Sequence, residues 1–130
     1  MSIPSLPPVQ ASTQELLLFI RSVLGNGKKK IEKKYSSRIT LDYFSRQHVL
    51  TFDIGKVILI YNMFDICDIC IMEFGNLHES AECYEFCNNR LRNAGMHLWF
   101  DNKTLVHFYI GRKGTRSFRF CLEPLQSQEV

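Results

Sequence analysis

The 130-residue chain sets 16 Lys and Arg against 13 Asp and Glu, a net charge of +3, with 45% hydrophobic and 22% charged residues. This balance is near the globular average and excludes a largely disordered or collagen-like chain, while the length suits one domain with one core. No apolar run reaches the roughly 18 to 20 residues of a membrane span, because the longest, from Val57 onward, is broken by Asn62 and Asp65.

The chain starts with Met1-Ser2-Ile3-Pro4-Ser5-Leu6-Pro7-Pro8, which has neither the early positive charge nor the hydrophobic stretch of a secretory signal. Three of the four prolines fall in residues 1–11, which read as a flexible leader. Ser12 or Thr13 caps a helix over 12–24, with Glu15 in its first turn and Leu16, Leu17, Phe19, Ile20, Val23 and Leu24 at helical spacing. Gly25-Asn26-Gly27 stops it. The stretch Lys28 to Lys34 has Ile31 as its single apolar anchor, and the segment 25–36 reads as a basic loop or a short basic helical turn.

Strand periodicity begins after Arg38. Ile39, Leu41 and Tyr43 alternate with polar residues, the stretch 49–54 alternates likewise, and the two form a hairpin. Lys56 to Tyr61 is apolar on both faces, as a buried central strand is, although Val57, Ile58 and Tyr61 also fit one face of a helix. Ile66 to Phe74 is the next strand. A helix over 78–92 follows, with Ala81, Tyr84, Phe86, Cys87 and Leu91 as its apolar stripe and Asn93-Ala94-Gly95 as its stop. Strands at 96–100, 104–110 and 116–122 complete the domain, and 124–130 is a polar tail. The fold class expected is α+β over residues 12–123, a mostly antiparallel sheet or partly open barrel with one or two packed helices.

Three patterns carry candidate chemistry. The spacing Cys67-x2-Cys70-x12-Cys83-x3-Cys87 suits a tetrahedral zinc site with thiolate ligands, although in a regular strand Cys67 and Cys70 point to opposite faces, and free cysteines commonly serve as small buried hydrophobes. Basic residues gather at Lys28, Lys29, Lys30, Lys33 and Lys34, and again with an aromatic side chain at Tyr109, Arg112, Lys113, Arg116 and Arg119. Such surfaces neutralise phosphates and stack single-stranded bases; equally, they are the solvated faces of structural elements.

The run Ile69-Cys70-Ile71-Met72-Glu73-Phe74, followed by residues 78–84 and Gly95, resembles the third strand, second helix and fourth-strand entry of the RNA recognition motif over about a third of the chain. That family stacks bases on aromatic side chains of its central strands. With Cys70, Met72 and Phe74 at the matching strand, the resemblance implies a member that binds protein in place of RNA.

His48, His78, His97 and His107 lack metal-ligand spacing and no phosphate-cradling glycine loop is present, so no catalytic residue is assigned and no enzyme is expected. Five cysteines, an odd number in hydrophobic contexts, suit a reducing compartment, so cytoplasm or nucleus is expected. The function expected is a non-enzymatic protein-interaction module or complex subunit, with a protein partner or homodimer, no membrane and no cofactor. RNA or single-stranded nucleic-acid binding is the alternative, and a small zinc-binding domain a third reading.

Overall fold

The computed structural model describes residues 3–42 and 46–122. Among these the chain forms helices α1 (Thr13–Val23) and α2 (Lys28–Tyr35), strands β1 (Ile39–Asp42), β2 (Gln47–Phe52), β3 (Gly55–Tyr61) and β4 (Cys67–Phe74), helix α3 (Leu77–Arg90), and strands β5 (Arg92–Gly95), β6 (Leu98–Phe100), β7 (Thr104–Ile110) and β8 (Arg116–Leu122). The tail 124–130 and Tyr43 lie outside the described residues.

The strands form one sheet in the order β1-β2-β3-β4-β8-β7-β6-β5, and every neighbouring pair is antiparallel. β1 and β5 stand at its edges, so the sheet is open and the barrel form of the expectation does not hold. Residues 55–61 are strand throughout. Two four-stranded meanders, each preceded by a helix, meet at the antiparallel pair β4 and β8, giving the topology an approximate two-fold axis normal to the sheet.

The helices bury their apolar stripes on one face of this sheet. Leu16, Leu17, Ile20 and Val23 of α1, Ile31 and Tyr35 of α2, and Cys83 and Cys87 of α3 join one core with Leu50, Leu59, Met72, Trp99, Phe118 and Phe120. Ser12 caps α1 through a reciprocal capping box with Glu15, and Asn76 caps α3 by accepting from the Glu79 N–H at 3.1 Å. Arg21 of α1 ion-pairs with Asp101 in the turn between β6 and β7.

Several expectations are corrected. Of the two readings of segment 25–36, a basic loop or a short basic helical turn, the helical one holds and extends: 28–35 is a third helix, because Ile31 and Tyr35, four apart, share one face and bury against α1 and the sheet. Residues 3–11 are held to the fold: the Tyr35 hydroxyl donates to the Pro4 carbonyl, Asp53 N–H donates to Val9 at 2.9 Å, and Ala11 is buried. The inward stripe of α3 runs through Ser80, Cys83 and Cys87, with Ala81 exposed. α3 ends at Arg90, and 92–95, expected as the end and stop of that helix, is a fully exposed edge strand.

Candidate functional site

Alternation along each strand sends one set of side chains under the helices and the other to the opposite face. On β2, β3 and β4, His48, Leu50, Phe52, Val57, Leu59, Tyr61, Cys70, Met72 and Phe74 point inward and are buried. The opposite face carries no helix among the described residues, yet it is strongly apolar. In one register row Val49, Ile58, Ile71, Arg119, His107 and Leu98 cross β2, β3, β4, β8, β7 and β6. The next row along the strands holds Gln47, Ile60, Ile69, Cys121, Leu105 and Phe100. A third, polar row on the other side holds Thr51, Lys56, Glu73, Ser117 and Tyr109. The isoleucines are only half-buried, with no element of the described residues packed above them. Arg119 is exposed in their midst, and no ion pair links it to Glu73 on the neighbouring strand.

This surface was hidden in the sequence behind a misleading signal. Strands apolar on both faces normally have both faces covered. Here one cover is missing, and the pattern Lys56 to Tyr61, read as that of a buried central strand, marks the strand whose outer face stays open.

The structure divides the expected basic sites. Lys28 to Lys34 lie on α2, whose start is bonded to the β3–β4 turn through Lys28 N–H to Asp65 carbonyl at 2.8 Å. Lys29, Lys30, Lys33 and Lys34 are exposed, opposite Ile31 and Tyr35, and Phe64 of that turn is 77% exposed beside Lys28, Lys29 and Lys30. The second cluster sits at the other end of the strands and is itself split. Tyr109 and Arg119 belong to the open face, Lys113 to the exposed tip of the β7–β8 connection, and Arg116 lines a cleft with Leu77, Ser80 and Tyr84 on the helical side. Arg112 lies in that connection. One continuous nucleic-acid track through both clusters is not formed.

The cysteines make two thiol pairs in place of one four-sulfur site. A bulge in β4 pairs Tyr61 with Cys67 and Ile60 with Ile69, so Asp68 is extra and Cys67 and Cys70 face the same way, 3.7 Å apart. Cys83 and Cys87 pair on successive turns of α3. All four are buried, and burial pushes the thiols of Cys70 and Cys83 well up, with the hydrogen bond to the neighbouring cysteine adding to it. Burial thus disfavours at Cys70 and Cys83 the thiolate form that zinc ligation needs. Among the described residues, the one group of three or more potential metal ligands within 4.8 Å is the surface set His78, Glu79 and Glu82 at the start of α3.

Between α2 and the sheet lies a polar cluster of buried His48 and Tyr61 with the partly exposed Glu32 of α2. His48 Nδ1 is 2.7 Å from the Tyr61 hydroxyl, and its Nε2 is 3.3 Å from Glu32. Burial lowers the His48 pKa against the opposing pull of Glu32, and burial raises that of Tyr61. Each member is satisfied by the others, so the cluster fastens α2 to the sheet. On the strand that resembles the RNA recognition motif, Cys70, Met72 and Phe74 all face the helices, and the open face there presents Ile69, Ile71 and Glu73.

Compared with known protein families, curated proteins and solved structures, the chain matches none.

Proposed function

We propose that this chain is a non-enzymatic protein-interaction module and that its partner docks on the open face of the sheet. The observation that carries this reading is the isoleucine-rich patch centred on β3 and β4. Six strands at about 4.8 Å spacing and three rows of side chains give a face of roughly 600 Å² in projection. A standard protein interface covers about 800 Å² on each partner, so the scale fits.

A photo-crosslinking residue placed at Ile71 in cells that make the protein tests this. A discrete protein adduct is expected, with none from the same residue at Asn89, which is exposed on the helical side. Equal labelling at both positions, or none at either, overturns the reading.

A second reading rests on α2. Four exposed lysines on one face, beside the exposed Phe64 ring, form a surface suited to single-stranded nucleic acid. Titration of a random single-stranded RNA pool should then show affinity falling steeply with salt, each neutralised phosphate adding about 0.7 to the slope. The Lys29→Glu/Lys33→Glu variant should lose the binding. Absence of binding at both low and physiological salt removes this reading.

A further inference from the structure

We infer that the occupant of the open face is a second copy of this chain, packed sheet against sheet about a two-fold axis. The inference rests on the interaction-module reading and adds the partner to it.

An aliphatic-rich sheet face of this width is best matched by another of the same kind, because two sheets pack about 10 Å apart with their inner side chains interdigitating. The isoleucine rows would then form the middle of a β-sandwich with the helices outside. A two-fold contact is self-complementary, so whatever one copy lacks the other must supply from the same patch. The charges meet that condition. Arg119 is exposed and without an ion pair, and Glu73 is half-buried on the adjacent strand with no ion pair of its own among the described residues.

Let the axis run along the strands between β4 and β8, the middle of the patch. β8 of one copy then lies over β4 of the other. Arg119 falls over the other copy's Ile71, since these two positions share a register row, and the other copy's Glu73 is one pleat repeat, about 7 Å, further along. An extended arginine spans that gap. The contact forms twice, once in each direction, so each interprotomer pair matches a charge that has no ion pair among the described residues.

Sedimentation equilibrium across the micromolar range is the test. The full chain is expected to run at twice its monomer mass. Arg119→Glu and Glu73→Arg should each weaken the dimer at least about tenfold. The double charge swap should tighten it again, because the pairs re-form with inverted sign. Ile71→Lys should give a folded monomer by circular dichroism. A monomeric wild-type chain overturns the inference, as does a double swap no tighter than the single variants, or a dimer indifferent to Ile71→Lys. The photo-crosslinker at Ile71 gives a readout independent of variant folding: a covalent dimer of this chain supports the second copy. An adduct with a different protein from a monomeric chain leaves the docking face standing and overturns the homodimer.

Discussion

His48 shows how one side chain links chemistry to stability. It is 1% exposed, and burial lowers its pKa below the ordinary 6.5. An unfolded chain therefore binds more protons at this position than the folded one as pH falls below about 6.5. Stability should be fully present above that value and decline as pH drops through the lowered folded pKa, with Glu32 opposing part of the loss. Thermal melts from pH 7.5 to 5 check this, and His48→Gln, which keeps a hydrogen-bonding group beside Tyr61, should flatten the profile. Gly55 is the other position where one atom decides. A Cβ there would lie 2.0 Å from the Glu73 carbonyl oxygen, in the backbone of β4 where β3 begins its pairing. Gly55→Ala is expected to destabilise by more than about 2 kcal/mol in denaturant melts.

The elements differ in how openly they were written. α1 was legible from end to end, since the capping residue, the acid three positions on and the apolar stripe all say the same thing. Ser12→Ala should cost about 1 kcal/mol, measurable as a shift of the unfolding midpoint. α2 was legible only as a choice between a basic loop and a short basic helical turn. Its apolar anchors are only Ile31 and Tyr35, and a lysine-rich stretch with no side-chain cap does not decide between the two. Tertiary burial of those two residues makes it helical. β5 is a harder case, because Arg-Asn-Ala-Gly has no strand propensity and is a strand only because β6 offers it an edge to pair with.

At the scale of the whole molecule, the two faces of one strand should respond oppositely to the same substitution. Leu59→Lys puts an unpaired charge into the core and should prevent folding, whereas Ile58→Lys, one residue earlier, faces outward beside Ile71 and should leave the chain folded while weakening its self-association. Circular dichroism of the two variants separates these outcomes. The sequence by itself determined the α+β class, the helices α1 and α3 and most strands, because those depend on local periodicity and on short-range caps. It could not show that β4 pairs with β8, that a bulge turns Cys67 to the side of Cys70, or that the basic clusters sit at opposite ends of the sheet. The β4–β8 pairing joins residues roughly forty to fifty positions apart, and the bulge is set by how β4 registers against β3. The open face belongs with them: periodicity says that a strand is apolar on both sides, and only the packing of every other element says which side is left uncovered.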